Sequence, residues 1–280
     1  MIPAEYVLII LSPIFFAFVA FEWWQTRKQN PAVYQWQDSL ANFVLSAMHQ
    51  FGEALSLLLL MPLFLWLSQY AIWQIEFNYL NLIALFILQD FLYYWFHRAS
   101  HRVRWLWASH VTHHSSRLMN FSTAFRQSLT YPISGMWLFW TPLILVGFDV
   151  KLVISVVAIN LGFQFFVHTR WWKNWGLAGY LLNTPSWHRV HHACNPRYID
   201  KNFAGVLIIW DKLFGTFEPE HDDEPCRFGI TDDFESVHPW TITFYEWRRM
   251  LQQWPQTTGF SAKLRLLFGP PQPKVAEEDR

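Results

Sequence analysis

Apolar residues along the chain fall into five stretches that are separated by polar segments. The stretches cover approximately 6–24, 39–67, 80–96, 132–148 and 152–167. A helix needs roughly 20 residues to cross the hydrocarbon core of a bilayer. The first three stretches therefore predict membrane-spanning helices. The last two are joined at 149–151 and are at the lower limit of length, so they predict a tilted or shallow hairpin.

The chain becomes polar after about residue 171. Two amphipathic stretches, at 244–254 and 260–268, carry aromatic or leucine residues among arginines and lysines. Helices of this type lie on a membrane surface or pack on a polar domain, and the sequence leaves both open. The last residues, 270–280, predict a disordered tail.

Basic residues predict the orientation in the membrane. They follow the first, third and fifth stretches, at Arg27, Lys28, Arg98, Arg102, Arg104, Arg117, Arg126, Arg170 and Lys173. Positively charged loops mark the cytoplasmic side, and these three loops share one side even if the last two stretches form a re-entrant hairpin. The N-terminus is then outside and the C-terminus inside. Glu5 stands where a signal peptide carries positive charge, so we expect the first stretch to be retained.

The composition also favours a membrane protein. The chain is 52% hydrophobic, 19% aromatic and 15% charged, whereas soluble domains average about 25% charged residues. Eighteen tryptophans and ten tyrosines fit the aromatic belts found at membrane interfaces. The formal net charge is zero and gives no argument for a nucleic-acid partner. We therefore expect a multi-pass protein of a bacterial inner membrane or the endoplasmic reticulum.

Histidines form three clusters on the predicted cytoplasmic side. The first is an HxxxH motif at 97–101, and the other two are HxxHH motifs at 110–114 and 188–192. On a helix, residues three and four apart lie on one face, so each motif turns two or three imidazoles toward one point. Together with one histidine at the end of the fifth stretch, the candidate metal ligands are His97, His101, His110, His113, His114, His168, His188, His191 and His192.

Nine imidazoles exceed the needs of one ion, since structural zinc takes four ligands. They indicate two metals with open positions. Imidazole suits iron, zinc, copper and nickel, so the ligand type leaves the metal open. A redox-active pair at the end of a hydrophobic bundle could oxidise an acyl or alkyl chain, whereas a zinc pair would more naturally support hydrolysis.

Together these patterns predict an all-α fold, a multi-pass transmembrane helical bundle with a cytoplasmic histidine-rich helical cap. The predicted segments are N-terminal transmembrane helices at 1–96, the first two histidine clusters at 97–131, a transmembrane hairpin at 132–168, a cap with the third cluster at 169–269, and the disordered tail at 270–280. The active site is then expected on the cytoplasmic face of the membrane.

The histidine motifs resemble the signature of the fatty acid hydroxylase/sterol desaturase superfamily, which is HxxxH followed by two HxxHH motifs. Segments similar to its alkylglycerol monooxygenase-like branch are YYWFHR at 93–98, WASH at 107–110, HHSS at 113–116, NFSTAFRQS at 120–128, NTPSWHRVHH at 183–192, NPRYIDKN at 195–202 and IWDKLFGTF at 209–217. The resemblance covers approximately 90–218. It implies two non-haem irons, cycling between Fe2+ and Fe3+, that are bound by the clustered histidines, with O2 as co-substrate and a lipid as substrate.

The reaction implied by the resemblance is hydroxylation or desaturation of an aliphatic C–H bond in an alkyl-ether lipid, a fatty acyl lipid or a sterol. Tetrahydrobiopterin is one candidate electron donor by the same resemblance, and an electron-transfer protein is another. Arg102 and Arg117 stand where the branch usually carries acidic residues, which leaves both the lipid and the donor open.

Four polar residues are candidates to orient metal-bound histidines, which usually donate their second N–H to a carboxylate or a carbonyl. They are Asp90, Asn183, Asp200 and Asp211. The alternative for the three carboxylates is structural pairing, and the alternative for the amide is a turn before Pro185.

His49 and Glu53 are four residues apart inside the second apolar stretch, a depth at which ionisable residues are usually functional. They are predicted to contact a substrate headgroup, to support the metal site, or to pair with each other. Arg102, Arg117 and Arg126 are candidates to bind a phosphate or carboxylate headgroup, because guanidinium pairs bidentately with such groups. Their alternative role is that of positively charged anchors on the cytoplasmic side.

Two other functions stay open from the residues alone. A membrane metal transporter would carry ionisable residues at mid-membrane depth over several spans, and only His49, Glu53 and Asp90 are candidates for this pattern. A zinc-dependent membrane hydrolase is compatible with the two HxxHH motifs. We favour the oxygenase, because the histidines gather at one membrane face.

Overall fold

The computed structural model describes residues 4–173 and 175–271 of the chain. These residues form α-helices that are connected by short 3-10 turns and loops, and the only extended pairing among them is two isolated bridges. The predicted all-α class is thereby confirmed. Most of the predicted tail, 272–280, lies outside the described residues.

Twelve α-helices make up the helical framework of the described residues. They are α1 (Ala4–Gln29), α2 (Trp36–Ser68), α3 (Tyr79–Arg102), α4 (Arg104–His114), α5 (Tyr131–Ser134), α6 (Thr141–Val146), α7 (Val150–Phe165), α8 (Pro185–His192), α9 (Ile209–Leu213), α10 (Pro239–Thr243), α11 (Tyr245–Gln253) and α12 (Phe260–Phe268). The three histidine motifs lie on α3, α4 and α8, so each motif has the helical geometry that its spacing predicted.

Two helical segments of the described chain are long and apolar enough to cross a membrane. They are Pro31–Ser68, with a mean hydropathy of 1.8, and Tyr79–Arg102, with a mean hydropathy of 1.3. Large apolar side chains point outward from both, since Leu58 is 73% and Leu80 is 79% exposed. Removing such a side chain from water is worth about 1.5–3 kcal/mol, so these surfaces favour a lipid environment. The five-segment topology stays a prediction.

The fourth and fifth apolar stretches form only short helices. The fourth is broken, because α5 ends at Gly135, which has a φ of 84°, and α6 covers only Thr141–Val146. The fifth forms α7, whose 16 residues are fewer than the roughly 20 that a full span needs. Both segments are therefore short, as the sequence predicted.

Aromatic side chains form the contacts that fix the long helices. The main core lies between α2, α3, α6 and α7 and includes the buried Tyr93 and Trp140. A second core ties α1 to α7, where the ring of Phe15 lies 4.3 Å from the ring of Phe165. Phe121, from the loop after α4, stacks on the same ring at 5.1 Å. The second core therefore joins α1 to the loop that follows the second histidine motif.

Helix α3 passes from its apolar segment into the first histidine motif without a break. It ends at Arg102, and only Val103 separates it from α4, which begins at Arg104. The boundary predicted between 96 and 97 therefore lies within one helix. Because one continuous helix carries both parts, the apolar segment and the first two histidines are fixed relative to each other.

A buried ion pair joins the cap helix α11 to α4. Nε of Arg104 donates to Oε1 of Glu246 at 2.6 Å, and both side chains are almost fully buried. Arg249 also pairs with Glu246, at 2.8 Å. The stretch 244–254 therefore packs against α4. By contrast, none of the nine residues described in α12 is buried, and a position of α12 on the membrane surface stays a prediction.

We predict that Glu246→Ala strongly destabilises the protein. The variant leaves Arg104 buried without its carboxylate partner, and breaking a buried pair costs about 3–5 kcal/mol. The midpoint of thermal unfolding in detergent measures the effect. Asp222→Ala is the control, because Asp222 pairs with Lys173 on the exposed surface and its loss should leave the midpoint unchanged. Equal midpoints for the two variants would contradict the prediction.

Candidate metal centre

The nine histidines that were predicted as metal ligands come together in two groups. The five-histidine group contains His97, His101, His110, His114 and His191. The four-histidine group contains His113, His168, His188 and His192. Within each group the candidate ligand atoms all lie within 4.8 Å of one another. The structure thus brings every predicted ligand to one region and divides the set in two.

Each HxxHH motif contributes to both groups. In α4, the two histidines that are four residues apart belong to the five-histidine group, and His113 belongs to the four-histidine group. In α8 the assignment is reversed, and His191 alone belongs to the five-histidine group. Positions four apart on a helix point in nearly the same direction, whereas the adjacent position projects at a different angle. One short motif can therefore serve two metal ions.

Backbone carbonyls hold one ring nitrogen in several of these histidines. The Nδ1 atoms of His97, His113, His168 and His191 lie 2.8, 3.2, 2.7 and 3.0 Å from the carbonyl oxygens of Phe203, Arg126, Gln164 and Lys201, respectively. A carbonyl oxygen only accepts hydrogen bonds, so each of these Nδ1 atoms carries the proton of the neutral ring. The ring then presents a lone pair at Nε2.

The Nε2 atoms face one another inside each group. Nε2 of His168 lies 3.1 Å from Nε2 of His113, and both rings carry their proton on Nδ1. Two lone pairs at this distance repel each other, and a cation bound to both would remove the repulsion. In the five-histidine group, Nε2 of His101 and Nε2 of His191 are buried and have no hydrogen-bond partner. The donor set therefore fits two metal ions.

Burial keeps the imidazoles uncharged. It lowers the pKa of His113 to about 4 and the pKa of His191 to about 3. It also lowers the pKa of His110 and His188 well below the usual value, and neighbouring histidines add to the effect. These rings are neutral at pH 7 and offer a lone pair without first losing a proton. Protons should compete with the metal only in acidic solution.

A cavity of about 360 Å³ opens onto both groups. Its wall contains His101 and His191 from the five-histidine group and His192 from the four-histidine group. Trp107 and the cap residues 229–232 form other parts of the wall. A small molecule or the end of an extended chain can reach both groups through this cavity.

Two of the residues predicted to orient ligands, Asp90 and Asp211, do not contact a histidine. Asp211 accepts the backbone N–H of Phe203 at 2.8 Å, and Asp90 accepts two backbone N–H groups of 206–207 at 2.9 Å. The carbonyl of Phe203 in turn accepts the hydrogen bond from His97. The two carboxylates therefore fix the loop behind this ligand and act one step away from the metal.

Asp200 and Asn183 differ in their distance from the ligands. Oδ1 of Asp200 lies 3.9 Å from Nδ1 of His101, and Oδ2 lies 3.4 Å from Nε of Arg102. Among the four predicted orienting residues, Asp200 is the one beside a ligand. Asn183 donates instead to the carbonyl of Ala204 at 2.8 Å, which ties the start of α8 to the loop that Asp211 also holds.

The predicted headgroup arginines have different surroundings. Arg102 is half exposed and lines the cavity, so it is placed where a bound molecule would meet it. Arg117 lies on the surface and pairs with Asp233 at 3.1 Å and with Glu235 at 3.0 Å. Two acidic partners already neutralise Arg117, so Arg102 is the better candidate of the two.

For Arg126 the predicted headgroup role is wrong. Its side chain is 1% exposed, and NH1 donates to Asp38 at 3.1 Å and to Asn42 at 2.8 Å. Nε donates to Ser115 at 2.9 Å. A guanidinium that is buried and bonded internally in this way cannot bind a lipid headgroup, and its part in the predicted orientation stays a prediction. Its function is to hold the end of α4 against α2.

His49 lies next to a tyrosine that contacts a candidate metal ligand. Nδ1 of His49 lies 2.9 Å from the carbonyl oxygen of Ser128, and its ring meets the edge of Tyr131 at 5.8 Å between centroids. The hydroxyl of Tyr131 lies 2.5 Å from Nδ1 of His110. Oε1 of Glu53 is buried without a hydrogen-bond partner, so the predicted pair between His49 and Glu53 does not form.

Sequence patterns did not identify Tyr131, which contacts the candidate ligand His110, or Glu22, which contacts the residue after the candidate ligand His168. Glu22 is 1% exposed and accepts a hydrogen bond from Thr169, the residue directly after His168. A carboxylate at the end of an apolar stretch is itself a signal, and it could have been used for Glu22. Tyr131 gave no such signal, because one tyrosine among ten is unremarkable in a membrane protein.

Comparisons with known proteins bear directly on this site. Residues 82–216 match the sequence model of the fatty acid hydroxylase family. The chain is 44% identical to alkylglycerol monooxygenase of Homo sapiens over 196 residues, which are 68% of this chain. It is 42% identical to alkylglycerol monooxygenase of Danio rerio over 186 residues, which are 66% of this chain. Ornithine lipid hydroxylase of Rhizobium tropici is 28% identical over 146 residues, 52% of this chain and 44% of that protein.

The matched part covers less than half of these relatives, namely 43% of the human and 41% of the Danio rerio monooxygenase. No solved structure matches the chain. All nine histidines of the two groups lie within the matched residues 82–216. Together with the identity of 42% and 44% to two alkylglycerol monooxygenases, this match shows that the chain belongs to the fatty acid hydroxylase family.

Proposed function

We propose that the chain is a membrane-bound, iron-dependent monooxygenase that uses O2 to hydroxylate an aliphatic C–H bond of a lipid. The observation that carries the proposal is the pair of histidine groups beside one cavity, because their neutral Nε2 atoms converge on two separate points. The names of the similar proteins support a lipid substrate, since they specify alkylglycerol and ornithine lipid. An alkyl-ether lipid is our first choice, and a fatty acyl lipid or a sterol is the alternative.

Two iron ions bound to the Nε2 atoms would supply the reduction of O2 and the oxidation of the C–H bond. The chain itself holds the ligands and keeps water away. The carbonyls of Phe203 and Arg126 fix the ring orientation and the protonated nitrogen of His97 and His113. Such partners of the second ring nitrogen raise the basicity of a ligand histidine. Burial of the rings limits the access of bulk water to the reacting atoms.

Hydroxylation transfers one oxygen atom of O2 to carbon and reduces the other to water, so it consumes two electrons and two protons. The electrons come from a donor outside the chain. Tetrahydrobiopterin is the donor suggested by the resemblance to the alkylglycerol monooxygenase branch, and an electron-transfer protein is the alternative. Desaturation would use the same donor but would remove a second hydrogen from the substrate instead of forming an alcohol.

The cavity indicates how the lipid would be oriented. Arg102 and Asp200 both line it and are 50% and 34% exposed, so they are available to a polar headgroup. His101 and His191 lie on the same wall. We therefore place the headgroup beside Arg102 and direct the aliphatic chain toward the two histidine groups.

His191→Ala tests the proposed centre. Nε2 of His191 is buried without another partner, so its loss should lower the bound metal and reduce activity by more than about 100-fold, since loss of even an outer partner of a ligand costs 10–100-fold. Metal analysis of protein purified without oxygen, with O2 uptake on candidate lipids, measures both effects. His221→Ala and His238→Ala, outside the two groups, are the controls. Two zinc ions in iron-supplied protein, or full activity of His191→Ala, would contradict the proposal.

The predicted orientation places Arg104 and Trp171 on the cytoplasmic side, because the basic loops follow the first, third and fifth apolar stretches. Arg280, for which the same side is predicted, lies outside the described residues. Because Arg104 is buried, single cysteines are placed at the exposed Trp171 and at the half-exposed Arg117, which belongs to the same predicted loop as Arg104. In a chain without its two native cysteines, both should react with an impermeant reagent only from the cytoplasmic side. Labelling of position 117 from the opposite side would refute the orientation.

Arg102→Ala should raise KM for an anionic lipid by about 10-fold or more while kcat changes little, because the lost contact stabilises the bound substrate and the transition state equally. Arg117→Ala is the matched control, since its guanidinium is already paired with Asp233 and Glu235. Steady-state kinetics with intact metal content measures the difference. If KM stays the same for Arg102→Ala, a neutral lipid or a sterol becomes the better substrate assignment.

A further inference from the structure

Helices α1 and α2 lie outside the residues that match the family model, 82–216. Each of them nevertheless directs one buried carboxylate toward the four-histidine group. Glu22 of α1 is 1% exposed, and Asp38 of α2 is 7% exposed. Buried carboxylates are rare unless they are paired, so the partners of these two residues indicate what they do.

Three donors bind the carboxylate of Glu22. The hydroxyl of Tyr34 donates to Oε2 at 2.6 Å, and the backbone N–H of Phe121 donates to the same atom at 2.8 Å. The hydroxyl of Thr169 donates to Oε1. Thr169 is fully buried and directly follows His168, so Glu22 fixes the backbone at this ligand.

A second contact holds Thr169 from the opposite side. Arg189, which lies between ligand positions on α8, donates to the carbonyl oxygen of Thr169 at 3.0 Å and is itself paired with Glu220. Thr169 is therefore tied to α1 by its hydroxyl and to α8 by its carbonyl. Nε2 of His168 lies 2.9 Å from Nε2 of His188 on α8. The distance between these two ligands thus depends on both ties.

Asp38 supports another ligand of the same group. It pairs with NH1 of Arg126 at 3.1 Å, and the carbonyl oxygen of Arg126 lies 3.2 Å from Nδ1 of His113. The two ligands of the four-histidine group that do not come from α8 are therefore positioned by carboxylates of α1 and α2. The corresponding loop of the five-histidine group is fixed by Asp90 and Asp211, which both lie inside the matched residues.

We propose that Glu22 is a positioning residue for the metal ion of the four-histidine group and acts through Thr169 on His168. The inference rests on the proposed two-metal centre. Occupancy of the four-histidine group then depends on α1, which lies outside the matched residues 82–216. Occupancy of the five-histidine group depends on residues inside that segment.

The metal bound per chain tests this inference. Protein with both sites loaded should hold two ions, whereas Glu22→Ala and Thr169→Val should hold about one, because each removes the tie to His168. Thr169→Ser keeps the hydroxyl and should hold two. The midpoint of thermal unfolding, measured on the same samples, shows that the variants are folded.

Double variants identify the site that loses its ion. In a His168→Ala chain, which already lacks the ion of the four-histidine group, Glu22→Ala should cause no further loss. In a His97→Ala chain, which lacks the other ion, Glu22→Ala should reduce the metal from about one ion to nearly none. Asp211→Asn is the matched control and should show the reverse pattern, because it loosens the loop behind His97.

Two folded outcomes would overturn the inference: two ions retained in Glu22→Ala, or equal further losses in the His168→Ala and His97→Ala chains. If Glu22→Ala does not fold, the comparison of Thr169→Val with Thr169→Ser decides, and equal metal contents in that pair overturn it. Absence of bound metal in the unaltered protein would refute the two-metal centre instead, so the two failures are distinguishable.

Discussion

The convergence of buried imidazole nitrogens, whose lone pairs repel each other where both rings carry their proton on Nδ1, is the constraint on which this structure depends. Nine neutral imidazoles meet in a space from which water is largely excluded, and their Nε2 atoms approach to about 3 Å. Burial opposes protonation of the rings, so the chain cannot relieve the repulsion by taking up protons at neutral pH. A bound cation relieves it directly. The surrounding fold must hold the rings in place until the cation is bound, and the carbonyl contacts of His97, His113 and His168 serve this purpose.

Two successive sets of polar contacts hold the rings in place. Backbone carbonyls bind the second ring nitrogen of several ligands, and buried carboxylates then fix the loops that carry those carbonyls. A carbonyl in a fixed loop is a good orienting group, because it cannot lose its accepting role when the pH changes. The carboxylates come from α1, α2, α3 and α9, so helices distant in sequence cooperate at one site. The exposed apolar surfaces of α2 and α3 favour a lipid environment for the same assembly.

Much of the site was readable from the sequence because its information is local. The HxxxH and HxxHH spacings predicted the helices that carry them and the set of histidines that come together, and the apolar stretches predicted where the three long helices lie. Which histidine belongs to which group was not predicted, because this depends on how α4 and α8 lie relative to each other. Arg126 was misassigned for the same reason: its partner Asp38 is 88 residues away, and no local pattern shows that a basic residue will be enclosed.

The unequal sizes of the two histidine groups would make two bound ions chemically different. The HxxHH motifs alone are balanced, because α4 and α8 together give three imidazoles to each group. The imbalance arises from α3, which adds two, and from the segment after α7, which adds one. An ion held by four imidazoles would leave more room for other ligands than an ion held by five. Exchange of small ligands would therefore concentrate on the four-histidine group, a difference that the two identical HxxHH motifs do not reveal.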